Sequence, residues 1–148
     1  MSYDRTTSPG YLTNWAARLF ARALERRLGT GSGPMPVFFA LQDGGCLTQT
    51  QLAAEAAVEQ PTMANTLARM ERDGLVARRT DSKDRRRAHV CLTPLGLERA
   101  AAAFDAAQAV NGLALEALAP ADRASFIGML HTIIAALERD NAAPPEAD

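Results

Sequence analysis

Thr62, Asn65, Thr66 and Arg69 recur at i, i+3, i+4 and i+7, so on a helix they share one face. Hydroxyl, amide and guanidinium groups arranged this way hydrogen-bond base edges and phosphates in a major groove. Met63, Leu67 and Met70 recur at i, i+4 and i+7 and give the same helix an apolar stripe to bury. Basic chemistry follows. From Arg69 to His89 there are eight Lys and Arg against four acids, which is half of the chain's 16 basic residues. A charge run alone is usually a solvated face. This one culminates in Lys83, Arg85, Arg86 and Arg87, at a turn beside a polar reading face, where phosphates could be met. Arg78, Lys83, Asp84, Arg85 and Arg86 are the candidate DNA-contacting residues of this tip, with Thr48 at the start of the preceding helix.

The elements that must position these residues are legible around them. Thr48 and Gln51 have capping-box spacing for a helix from Gln49 to Ala56, and Ala57, Val58 and Glu59 supply a turn. Pro61 suits the first turn of the next helix, where a missing N–H costs little, and Gly74 suits its C-terminal stop. Leu75 to Arg79 and Ala88 to Leu92 read as strands flanking the polar segment Thr80 to Asp84. Ala88, Val90 and Leu92 alternate with Arg87, His89 and Cys91, which predicts the first set buried and the second facing water or phosphate. Met35 to Gln42 reads as a short apolar helix, ended by Asp43-Gly44-Gly45, that packs beneath the reading helices. Helix, turn, helix, strand, basic tip and strand is the order of a DNA-reading winged helix.

Asp81-x-x-Asp84-Arg85-Arg86 followed by Leu92-Thr93-x-x-Gly96, after Met70-Glu71-Arg72-Asp73-Gly74-Leu75-Val76, resembles the wing and flanks of the multiple antibiotic resistance regulator (MarR) family. The likeness extends from about Pro9 to Arg139. It implies a homodimeric winged helix-turn-helix transcription factor, usually a repressor released by a small molecule. It places Gln60, Pro61, Thr62, Asn65, Thr66 and Arg69 on the recognition helix. Arg86 matches the wing arginine that enters the minor groove, and Glu59 an acid that can hold it. Ala68 departs from the pattern, since many relatives carry an acid there.

Outside the reading module, Tyr11 to Leu28 has a helical apolar stripe (Leu12, Trp15, Leu19 and Ala23, flanked by Phe20, Leu24 and Leu28). Arg18, Arg22 and Arg26 line another face, read first as a solvated stripe and second as a ligand or DNA contact. Gly29 to Pro34 reads as a linker: Pro34 replaces the last glycine of a G-x-G-x-x-G pattern and no strand precedes it. Thr93 and Pro94 make an N-cap and N1 pair for a long Ala-rich helix to about Leu118. A last helix, from about Ala121 to Arg139, carries Phe126, Leu130, Ile133, Ile134 and Leu137 on one stripe. A small winged domain cannot cover these stripes, so the expectation is a two-fold dimer interlocked through the terminal helices. The expected fold is mainly α with a small β wing: dimerisation helices at 9–29 and 94–140, a winged helix module at 34–93 and a frayed tail at 141–148. Trp15, Phe38 and Phe39, with Arg18 as a carboxylate partner, are candidates for an effector pocket. The same aromatics also suit the core.

At 148 residues the length suits one domain-sized unit. Aromatics are only 5% of a chain that is 47% hydrophobic, which favours close-packed helices. The net charge of −1 is unlike a non-specific nucleic-acid coat, but charge is segregated: eight acids face three arginines from Glu98 to Asp148. No apolar run approaches a membrane span, and the first residues lack a signal peptide's apolar core, so a cytoplasmic protein without membrane contact is expected. No H-E-x-x-H, G-x-S-x-G or metal-ligand cluster appears, so neither enzyme activity nor a metal or cofactor is expected. His89 reads as a solvent or phosphate contact, and His131 as packed and neutral. Cys46 and Cys91 are too few for a zinc module or a disulfide scaffold. They read as small buried side chains or, because a winged helix brings their strands near each other, as a redox pair. The expected function is a dimeric, sequence-specific regulator of a pseudo-palindromic operator on double-stranded DNA, released by a small-molecule effector. The alternatives are a winged helix that binds only proteins and a cysteine redox-sensing repressor.

Overall fold

The computed structural model describes residues 4–143. Along the chain run α1 (Pro9–Leu28), α2 (Met35–Ala40), β1 (Cys46–Thr48), α3 (Gln49–Glu55), α4 (Gln60–Arg72), β2 (Val76–Thr80), β3 (Ala88–Leu92), α5 (Pro94–Glu116) and α6 (Pro120–Ala142). Two compact units result, Met1–Val110 and Asn111–Asp148, divided within α5. The expected tail lies, from residue 144 onward, outside the described residues.

Local chemistry sets the helix ends. Thr48 accepts from the Gln51 amide while the Gln51 side chain accepts from the Thr48 amide, so α3 starts on a complete capping box. Ala57 turns the chain between α3 and α4 with φ +50°, a conformation that costs a side chain about 1 to 2 kcal/mol. Gly74 ends α4 at φ +73°; its N–H reaches the Glu71 carbonyl and that of Leu75 the Met70 carbonyl, the double closure that a left-handed residue permits. Thr93 caps α5 through Gly96 N–H (3.0 Å) and donates to the Gly74 carbonyl (2.6 Å), fastening α5 to the end of α4.

Met63, Leu67 and Met70 are buried as their spacing requires, against Val37, Phe38, Leu41, Leu52, Val76 and Val90. Truncating such a side chain to alanine costs about 2 to 5 kcal/mol. Ala100 and Ala103 of α5 and Leu24 of α1 close the same core. Gly96 is the tightest seam, because a Cβ there would run into the Leu75 carbonyl oxygen. The antiparallel sheet has the order β1-β3-β2, with Cys46 opposite Cys91, Thr48 opposite His89 and Arg79 opposite His89 on the other side.

Two expectations change here. Strict alternation fails in β3, where Val90 and Cys91 are both buried. The reason is a Cys46–Cys91 disulfide, which covers the sulfur that alternation turned toward water and joins the two cysteines that the redox-pair alternative brought near each other. In the second unit, His131 is exposed rather than packed. So is the α6 stripe: Phe126 is 40% exposed and Leu137 57%. None of the described α6 residues is buried.

Candidate nucleic-acid interface

The two reading helices are tied at their N-terminal ends, where the Gln49 amide donates to the Gln60 side-chain carbonyl at 3.3 Å. With Met63, Leu67 and Met70 anchored below, Gln60, Pro61, Thr62, Asn65 and Arg69 stand exposed and Thr66 is half-buried. Arg69 Nε leans on the Asn65 carbonyl at 3.4 Å, within its own helix. The face is therefore polar, solvated and mounted on a rigid floor.

The turn at the wing tip is organised first by the Asp81 carboxylate. Asp81 accepts the backbone N–H groups of Lys83 (2.7 Å) and Asp84 (3.2 Å), and its own N–H donates to the Arg87 carbonyl. Those two amides, the Lys83 one foremost, hold the Asp81 carboxyl below its ordinary pKa against a small opposing effect of desolvation; His89 and Arg87 add to the lowering. His89 Nδ1 lies 3.7 Å from Asp81 Oδ2. Arg79, Lys83 and Arg85 form no ion pair among the described residues and remain available to an anion. Arg78 is held by Glu71 at 3.3 Å. A cleft of about 510 Å³ between the start of α3 and the wing is lined by Thr48, Gln49, Gln51, Arg78, Arg86 and His89, among others. It brings the helix-start donors and the wing cations onto one surface.

The Glu59 buttress needs correction for the free protein. Arg86 Nε is 3.3 Å from Asp84 Oδ1, which also accepts the Arg86 amide at 3.0 Å. Glu59 makes no side-chain cap bond and, among the described residues, no ion pair. The reason is proximity: Asp84 shares a tight turn with Arg86, so little chain entropy is lost in joining them. The Arg86 side chain remains 92% exposed.

The four candidate pocket residues do not meet in one cavity. Phe38 is buried in the core, Phe39 is exposed and stacked on Phe104, and Trp15 is 53% exposed with its ring edge on Tyr11; Arg18 is exposed. Trp15 and Phe38 line different cavities. The one holding Phe38, of about 460 Å³, sets Arg27 and Arg99 around an apolar wall of Met35, Leu75 and Leu95. Sequence reasoning missed these arginines because they lie far apart in the chain and share no periodicity. Asp81, by contrast, carried a usable signal, since an Asp before Ser and Lys in a polar turn is a frequent acceptor for the next amides.

A family model described as the MarR family matches residues 34–87, from the start of α2 to the wing. Transcriptional regulator HosA of Escherichia coli O157:H7 is 33% identical over 98 residues, covering 66% of this chain and 73% of HosA. The PcaV transcriptional regulator from Streptomyces coelicolor, solved in complex with its natural ligand, superposes with a TM-score of 0.80 at 24% identity over 93% of this chain and 99% of that one. The transcriptional repressor CouR, bound to a 23-mer DNA duplex, gives 0.78 at 20% identity over 90% and 99%. At such identities the two superpositions speak for the fold.

Proposed function

This chain belongs to the MarR family of winged-helix, DNA-binding transcriptional regulators, and on that footing we propose that it is a homodimeric repressor of a pseudo-palindromic operator, released by a small anionic effector. The observation that carries the reading is the exposed Thr62, Asn65 and Arg69 face beside a tip whose Lys83 and Arg85 pair with no acid among the described residues. Phosphate contacts from Thr48, Arg78, Lys83 and Arg85 set register. Gln60, Pro61, Thr62, Asn65, Thr66 and Arg69 meet the major groove, while Asp84 presents Arg86 to the adjacent minor groove. CouR, a repressor solved on DNA, and PcaV, solved with a ligand, are relatives in fold that support repression and effector control respectively.

The exposed apolar faces of α1 and α6 support the dimer, because a second copy is the simplest cover for them. Two reading helices related by a two-fold axis then require half-sites about one helical turn, 34 to 36 Å, apart. The cavity with Arg27 and Arg99 suits an aromatic carboxylate, with apolar contact for the ring and guanidinium groups for the acid. Such a ligand releases DNA only if it binds better to a dimer whose reading helices are wrongly spaced. The regulator acts in the cytoplasm and has no catalytic activity of its own.

Selection of bound fragments from the genomic DNA of the source organism tests this reading. A two-fold symmetric motif should be enriched, and gel mobility on it should revert when an aromatic carboxylate is added. Recovery of unrelated fragments at equal frequency would contradict sequence reading and favour a winged helix that binds proteins.

A further inference from the structure

We propose that Cys46–Cys91 is a thiol–disulfide exchange site that sets how firmly the reading module grips DNA; the proposal rests on the DNA-binding reading above. The bond joins β1 to β3, and the residues between the two cysteines comprise α3, α4, β2 and the wing tip. The cross-link therefore closes a loop around every element expected to touch DNA. On one side Cys46 lies two residues before Thr48, the N-cap of α3. On the other, Cys91 lies two residues after His89, which pairs with Thr48 and lines the same cleft. The disulfide thus braces the start of α3 against the wing. Without it, a three-residue edge strand holds the same spacing by its backbone hydrogen bonds and the packing of Leu47 on the core.

Access is asymmetric. Cys46 is half-buried on the edge strand, whereas Cys91 is 5% exposed in the central strand. A dithiol reductant reaches Cys46 Sγ first: its thiolate forms a mixed disulfide there and expels the Cys91 thiolate, which takes up a proton. The second thiol of the reductant then attacks the mixed disulfide, leaving as a cyclic disulfide and releasing Cys46 as a thiol. In the reverse direction a low-molecular-weight disulfide oxidises the pair and departs as two thiols, so the electrons balance. A reading module braced beforehand loses less conformational freedom on binding, which makes the oxidised form the tighter binder.

The test uses the full-length protein equilibrated with oxidised glutathione or with dithiothreitol, then titrated into the duplex recovered by genomic selection. Alkylation and intact mass count the free thiols in each sample. Wild type should show two thiols when reduced and none when oxidised, with about fivefold tighter binding when oxidised. Cys46→Ser should bind equally after either treatment, which also establishes that the module folds without the bond. Equal affinities of oxidised and reduced wild type would overturn the proposal, as would the reverse order or two free thiols after oxidation. If neither form binds any selected duplex, the DNA-binding reading fails instead, while the thiol count still reports whether exchange occurs.

Discussion

Arg86 stands at the wing tip with its side chain 92% exposed and Asp84 beside it. Its place at the wing tip was legible from Asp81-x-x-Asp84-Arg85-Arg86, but its partner was not, because Glu59 and Asp84 both offer a carboxylate and only the folded turn puts Asp84 at 3.3 Å. A double-mutant cycle should find coupling on operator DNA between Asp84→Asn and Arg86→Ala, of about 0.5 kcal/mol or more. Glu59→Gln and Arg86→Ala should add independently unless binding moves Arg86 onto Glu59. Asp81 gives a pH test. Its carboxyl is lowered mainly by the Lys83 amide and then by the Asp84 amide, so the folded wing favours the charged form. Its contribution is fully present above the ordinary carboxyl value of 3.8 and is lost as pH falls through the lower folded value. The Lys83 amide resonance should titrate in that acid range and not near neutrality; a midpoint above 3.8 would contradict the hydrogen-bonded assignment.

At the scale of elements, the helices and the sheet followed from patterns that physics makes local. Capping at Thr48, the stop at Gly74 and the stripe of Met63, Leu67 and Met70 each depend on residues within two turns, and each appears as read. Alternation alone misplaced Cys91, because its cover comes from Cys46, across the sheet. The role of Gly96 was likewise invisible: a glycine near a helix start looks like a weak helix former, yet its missing Cβ lets α5 approach the Leu75 carbonyl. Gly96→Ala should therefore destabilise the protein by about 1 to 3 kcal/mol, as overpacking does, although alanine is the better helix former. Denaturant unfolding measures it, and an unchanged midpoint would show that the seam can open without cost.

For the whole molecule, the apolar faces of α1 and α6 were readable as faces in need of cover, and in the single chain they remain exposed, with Trp15 at 53% and Ile134 at 50%. Their periodicity identifies the surface but not what covers it. Sedimentation should give the mass of a dimer at micromolar concentration, and removal of residues 1–28 should leave aggregate or unfolded chain; a soluble folded monomer from that truncation would contradict the interlocked assembly. The cavity with Arg27 and Arg99 escaped the sequence for a related reason, since the two arginines converge only in three dimensions. The central claim, that the α4 face reads sequence while the wing holds phosphate, is tested most directly by anisotropy titrations of operator and scrambled duplexes over a range of salt. Asn65→Ala or Arg69→Ala should lose about 1 to 3 kcal/mol of discrimination between the two duplexes, whereas Lys83→Ala should weaken both alike and reduce the salt slope by about one. Equal losses on both duplexes for Asn65→Ala and Arg69→Ala would show that this face does not read DNA sequence.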